Sequence, residues 1–226
     1  AEYFLGRLET HGPAYNAVVT ITRERAMEQA RRAEAEIAAG KYRGPLHGIP
    51  YGAKDLLATS GGIPTTWGAA PLRDQTFDYD ATVVRKLEEA GAVLVAKMAM
   101  VELAGGLGYS NTNAAFTGPG LNPWDTGTWT GGSSNGSGAG VAAGLVPFAI
   151  GSETWGSILM PASFCGVAGL RPTYGRVSRY GAMALSWTLD KLGPLGLTAD
   201  DCGLLLEAIA GPDALDRTAA DRKYRY

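Results

Sequence analysis

Apolar positions along the chain recur in two periods. Between Thr22 and Ala39, Ala26, Ala30, Ala33 and Ile37 fall on one helical stripe, and the opposite face is charged. Thr22 stands where an N-cap is needed and Gly40 where the helix must stop, so this stretch predicts a surface helix. Asp80 opens a second such pattern, with Val83, Val84, Leu87 and Ala90 facing inward and Gly91 as its end. The run AVLVAK (92–97) that follows is short, continuous and apolar, which predicts a buried strand. Farther on, Thr198 and Asp201 have capping-box spacing ahead of CGLLLEAIAG, a helix closed by Gly211. Short apolar runs at 17–21, 49–53, 145–150 and 167–170 lie between Gly- and Pro-rich turns and predict further strands. Helices alternating with short buried strands imply an α/β sheet.

The pattern lapses from 105 to 140, where Gly, Ser, Thr and Asn dominate over a length that ordinary connections do not reach. Loops of that length in compact domains usually carry function. Composition is otherwise that of a globular chain of 226 residues, with 32 glycines as the outlier. A net charge of -2 and the lack of a basic block argue against nucleic acid and anionic membrane as partners. The longest apolar runs, such as GVAAGLVPFAI (140–150), are too short and too broken to span a bilayer, and the first residues do not read as a signal peptide. Cys165 and Cys202 sit in apolar settings without CxxC spacing, which predicts buried free thiols rather than a disulfide or a metal site. Together these features predict a cytoplasmic enzyme without a metal or other cofactor.

GGSSNGSGAG (131–140) poses the chemical question. It loosely resembles a dinucleotide turn, but WDTGTWT before it is not a buried strand, and neither GxGxxG nor the P-loop pattern is met. Gly132, Ser134 and Gly136 fit GxSxG, the elbow that exposes a serine nucleophile in α/β hydrolases. That fold needs a histidine after the serine, whereas the two histidines here, His11 and His47, both precede it. Taken alone, the stretch fits a glycine-rich turn capping a helix from about Ser137 as well as it fits a site.

Its neighbourhood separates these readings. LVPFAI leads into a second serine-rich turn, GSETWGSILMPASFCG (151–166), whose backbone N–H groups can converge on one point. Upstream, GIPYGAKDLL places Lys54 at the end of a predicted strand. Lys54 in PLHGIPYGAKD, GGSS at 131–134 and Ser157 in GSETWGS resemble, in this order and spacing, the amidase signature family of serine hydrolases. DATVVRKLEEAGAVLVAK, NPWD, PASFCGVAGLRPTYGRVSRYG and DKLGPL are similar to family sequence too, so the resemblance covers nearly the whole chain.

The resemblance implies one α/β amidase-signature domain over 1–226, with a central mixed β-sheet covered by helices on both faces. It implies Ser157 as nucleophile, Ser133 as a bridging serine on a cis peptide, and Lys54 as base. Backbone N–H groups of Thr154, Trp155, Gly156 and Ser157 would form the oxyanion hole, supported by Gly132 and Ser134. Such chemistry needs no histidine, but it needs a neutral lysine. At the ordinary pKa of about 10.4, well under 0.1% of the amine is neutral at pH 7. Burial that brings it toward neutrality costs roughly 4 kcal/mol, within what apolar enclosure supplies. Ser133 would then relay a proton from Ser157 to Lys54 and back to the leaving amine.

The match has departures. Trp155 stands where the family commonly has the first of two glycines, as a wall of the acyl pocket or as a core residue. Leu159 stands where an arginine is usual, and Glu153 where an aspartate is. Family domains are about twice as long, which implies a chain lacking the C-terminal half, and an isolated half would expose sheet edges. The expected activity is hydrolysis of a small-molecule amide through an acyl-enzyme, with carbamates and esters as further substrates and a homodimer as one expected assembly. Two alternatives stand beside it: the glutamine-hydrolysing subunit of a tRNA-dependent amidotransferase, and a catalytically decayed binding module.

Overall fold

The computed structural model describes residues 1–105, 111, 115–222 and 224–226. Six helices are present among them: α1 (Glu2–His11), α2 (Arg23–Ala38), α3 (Thr82–Glu89), α4 (Asn135–Ala142), α5 (Leu159–Cys165) and α6 (Ala199–Ile209). The strands are β1 (Val18–Ile21), β2 (Pro50–Lys54), β3 (Val93–Met98), β4 (Leu121–Asn122), β5 (Asp125–Trp129), β6 (Phe148–Glu153), β7 (Ala168–Gly169) and β8 (Lys191–Gly196). β4 and β5 form a small antiparallel pair, and the other six make one mixed sheet in the order β1-β3-β2-β6-β8-β7. The three central strands, β3, β2 and β6, run parallel, while β1, β8 and β7 pair antiparallel at the flanks.

Alternation along these strands divides the core in two. Leu94, Tyr51, Ile150 and Leu192 face a cluster completed by Val83, Val84 and Leu87 of α3 and Leu205, Leu206 and Ile209 of α6. Val93, Val95, Ala149 and Leu195 face the other, with Leu5 and Leu8 of α1, Ala139 and Val141 of α4, and Ala162 of α5. Helices therefore cover both faces of a mixed α/β sheet. A parallel centre buried on both sides explains why β3 is apolar but for Lys97.

α4 contains Gly136, Gly138 and Gly140, each worth about 1 kcal/mol of lost helix propensity relative to alanine. The cost is the condition for its position. A Cβ at Gly136 would lie 2.3 Å from Ala17 O and 2.5 Å from Ala99 N, so without glycine the helix could not lie against the end of the sheet.

Several predicted elements shift. Ala26 and Ala33 are buried on α2, but Ile37 is 46% exposed, and the buried side chain between them is Gln29. Gln29 is there because its Oε1 accepts the Leu94 N–H at 2.8 Å. The Thr22 hydroxyl likewise donates to Leu94 O instead of capping α2. Asp80 does not open α3, whose N-cap is Ala81. A bidentate pair with Arg25 and the Ser60 N–H occupies its carboxylate. The strand predicted at 145–150 begins only at Phe148 and runs on to Glu153, because Leu145 and Val146 turn back onto Gly140 O. α1, α5 and β8 carried no clear signal, and 105–140 holds the β4–β5 pair and the start of α4 rather than loop throughout. The Thr198–Asp201 capping box forms as predicted, and Cys165 and Cys202 are buried free thiols whose burial pushes them up to about 12 and about 11.

These assignments predict that Leu94→Ala, fully buried at the centre of the sheet, costs about 3 kcal/mol in urea unfolding. Ile37→Ala, on the solvent side of α2, is expected to change stability by less than about 0.5 kcal/mol.

Candidate active site

The C-terminal ends of the parallel neighbours β2 and β6 lie side by side, the place where open α/β sheets gather ligands. β2 ends on Lys54, which is fully buried. Its Nζ lies 2.7 Å from Ser133 Oγ, 2.9 Å from Ser152 Oγ and 3.5 Å from Ser152 O. Burial pushes this amine well below its usual value of 10.5, and the carboxylates of Asp190 and Glu153 pull it back only in part. The lowered value is thus a property of where the strand ends.

Ser133 and Ser134 arrive from the turn ahead of α4. The Gly132–Ser133 peptide is cis. Ser133 O accepts the Val101 N–H at 3.0 Å, and Ser134 exchanges two hydrogen bonds with the backbone of Ser152 through its Oγ, at 3.2 and 3.3 Å. Gly132 has no room for a side chain, since a Cβ would stand 2.6 Å from Val101 Cγ2 and 3.0 Å from Trp129 Cζ2. The turn is therefore packed from outside and tethered from inside.

Ser157 is buried beside this turn, with its carbonyl accepting the Ser134 N–H at 3.1 Å. It closes the segment Thr154–Ser157 that links β6 to α5. Glu153, fully buried at the end of β6, reaches across that segment to accept the N–H groups of Ile158 (2.8 Å) and Leu159 (2.9 Å). Burial opposes its charge, yet the Leu159, Ile158 and Gly156 N–H groups and Arg171 outweigh burial and hold the carboxyl below its usual range. Arg171 completes this arrangement at 3.1 Å. Leu159, 41% exposed, supplies no such charge. The Trp155 side chain is 82% exposed, so it is not a core residue.

The predicted residues Lys54, Ser133, Ser134 and Ser157 are thus brought together, with Gly132 and the 154–157 segment at the same place. Sequence reasoning passed over Ser152, Arg171, Asp190 and Lys191. Arg171 and the Asp190–Lys191 pair lie in stretches that resemble family sequence, GLRPTYG and DKLGPL, but nothing local marks them. A second buried pair, Asp55 and Lys97 (3.2 Å), braces the end of β2 one residue beyond Lys54 and was also missed. A cavity of about 240 Å³ adjoins the site, with Ser152, Asp190, Leu192, Met183 and Trp187 in its wall. Among the described residues no group of three or more His, Cys, Asp or Glu side chains is arranged to hold a metal ion, and no helix is long and apolar enough to cross a membrane.

Comparison with known proteins places the chain in a defined class. The amidase family profile matches residues 1–225, and the chain belongs to that family. It is 50% identical over 217 residues to a glutamyl-tRNA(Gln) amidotransferase subunit of Moorella thermoacetica, covering 96% of this chain and 44% of that protein. The crystal structure of native peptide amidase from Stenotrophomonas maltophilia superposes with a TM-score of 0.87 at 36% identity, over 100% of this chain and 46% of that one. That of the corresponding glutamyl-tRNA(Gln) amidotransferase subunit from Thermotoga maritima gives 0.83 at 36% identity, over 98% and 45%. The chain thus spans less than half the length of these relatives.

The burial of Lys54 has a consequence for stability. Between its lowered folded value and about 10.5, the unfolded chain binds a proton at this lysine that the folded chain does not, so its contribution to stability rises with pH across that window. Lys54→Met removes this contribution. Urea midpoints taken from neutral pH toward 10 are expected to show the variant more stable than wild type at the lower end, with the gap narrowing as pH rises.

Proposed function

We propose that this chain cleaves a carboxylic amide C–N bond through an acyl-enzyme on Ser157, with residues 1–226 acting as one α/β unit. The observation that carries the reading is the buried Lys54 amine 2.7 Å from Ser133 Oγ, on a turn whose next residue is bonded to Ser157. Neutral Lys54 takes the Ser133 hydroxyl proton as Ser133 takes that of Ser157, and Ser157 Oγ attacks the carbonyl. Backbone N–H groups of Thr154, Trp155 and Ser157 receive the oxyanion, while the Gly156 N–H, expected among them, is turned to Glu153. The proton returns through Ser133 to the departing nitrogen, without which an amide's amine is a poor leaving group. Water then repeats the sequence on the acyl-enzyme.

For the substrate, the relatives favour what the sequence placed second. The 50% identity to a glutamyl-tRNA(Gln) amidotransferase component supports glutamine as the amide, with ammonia passed to a partner protein in a cytoplasmic complex. The alternative of a free amidase, with carbamates and esters as further substrates, is favoured by one local feature. Trp155 and Leu159 present apolar surface at the donor turn, where the family pattern has glycine and arginine. Intact Lys54, Ser133 and Ser157 argue against a decayed site.

Ammonia release from glutamine, measured beside hydrolysis of an aryl amide, is expected to favour glutamine. A strong preference for the aryl amide would replace the amidotransferase reading with the free amidase. In either assay Ser157→Ala is expected to lower kcat/KM by about a thousandfold or more, and Lys54→Ala nearly as much. Wild-type turnover by Ser157→Ala would end the mechanism.

A further inference from the structure

We infer that Asp190, just before β8, and Lys191, its first residue, are positioning residues that aim the backbone donors of the 154–157 turn. The inference rests on the reading of that turn as the oxyanion site. Sheet register brings the two residues there: β6 and β8 run antiparallel with Ser152 opposite Leu192 and Glu153 opposite Lys191. One step farther, Thr154 meets Asp190.

Thr154 is held at two atoms. Its hydroxyl donates to Asp190 Oδ1, and its carbonyl oxygen accepts from Lys191 Nζ at 3.0 Å. Asp190 is itself fixed, since it is buried and its other oxygen accepts the N–H groups of Leu185 (2.8 Å) and Ser186 (3.0 Å). The grip on the carbonyl matters most. The Thr154–Trp155 peptide is trans, and in a planar trans peptide the C=O and the next N–H point in opposite directions. Fixing Thr154 O toward Lys191 therefore fixes the Trp155 N–H away from it.

A cation on the carbonyl does a second thing. It polarises the peptide and strengthens that N–H as a donor, as successive hydrogen bonds in a chain do in a low-dielectric site. Glu153 holds the far end of the turn through Ile158 and Leu159. The turn is thus tied at both ends by charged side chains, two of them from the entry to β8. This also gives a role to DKLGPL, a stretch to which sequence reasoning assigned none.

The test uses an alkyl fluorophosphonate on the full chain, with labelling of Ser157 followed by intact mass to give kinact and KI. Phosphonylation expels fluoride from a phosphoryl group whose oxygen occupies the oxyanion site, so kinact reports the donors directly. Lys191→Met and Asp190→Asn are expected to lower kinact about 10- to 100-fold with KI and the melting temperature unchanged, and Lys191→Arg to restore most of the loss. Lys191 is only half-buried, so Lys191→Met tests the inference even if Asp190→Asn fails to fold. If both variants label at the wild-type kinact while Ser157→Ala takes no label, the clamp is overturned and the Ser157 reading stands. If Ser157→Ala labels like wild type, or wild type takes no label, the functional reading falls and the clamp falls with it. Loss of kinact in step with loss of melting temperature, unrelieved by Lys191→Arg, also overturns it.

Discussion

The structure depends on keeping one amine out of water. Lys54 ends a central parallel strand with its Nζ enclosed by Ser133 and Ser152, and the enclosure lowers its proton affinity well below that of a free lysine. Burying an ammonium without a carboxylate in contact is costly, which shifts the balance toward the neutral form that the proposed base role needs. The hydroxyls around it are suited to that form, since they can donate to a neutral amine as well as accept from a charged one. Asp190 and Glu153 are near enough to pull the amine back in part, yet the groups they contact are Arg171, the Thr154 hydroxyl and nearby backbone N–H donors, not Lys54.

The rest of the fold serves that enclosure. Parallel pairing of β2 with β6 sets Ala53 beside Ile150, so that the Lys54 side chain reaches Ser152 near the end of its neighbour, and the serine turn enters above them because α4 packs backbone-first against Ala17 and Ala99. Carboxylates are used at the periphery. Glu153 gathers N–H groups at the start of α5, Asp190 those of Leu185 and Ser186, and Asp55 pairs with Lys97 beneath the strand end. Each such charge is met by donors, the condition under which burial is tolerated.

What the sequence made legible follows from how local each signal is. The Thr198–Asp201 box, the α3 face and the β3 run are written in contiguous residues and formed where expected. Ile37 continues the helical period of α2 but overshoots the sheet it was to cover, and Gln29, polar and off the predicted stripe, is buried by one hydrogen bond to β3. Asp80 resembles a cap until a distant arginine claims it. β8, with Gly193 and Pro194 in its middle, has neither alternation nor β propensity, and only pairing with β6 makes it a strand. Lys54, Ser133 and Ser157 were singled out through spacing that a family shares. Asp190 and Lys191 were not, because their relation to the site lies in sheet register, which is not written along the chain, and Arg171 was not, because it meets Glu153 only through a distant side-chain pair.

The account is tested most directly by the protonation state of Lys54 in the folded protein. Lysine labelled with ¹³C at Cε, with the Lys54 resonance assigned by its loss in Lys54→Met, can be titrated by NMR. The account predicts a midpoint well below the ordinary 10.5. A midpoint at or above that value would mean that Lys54 is an ammonium held by its surroundings, and it could not take the proton on which the mechanism turns.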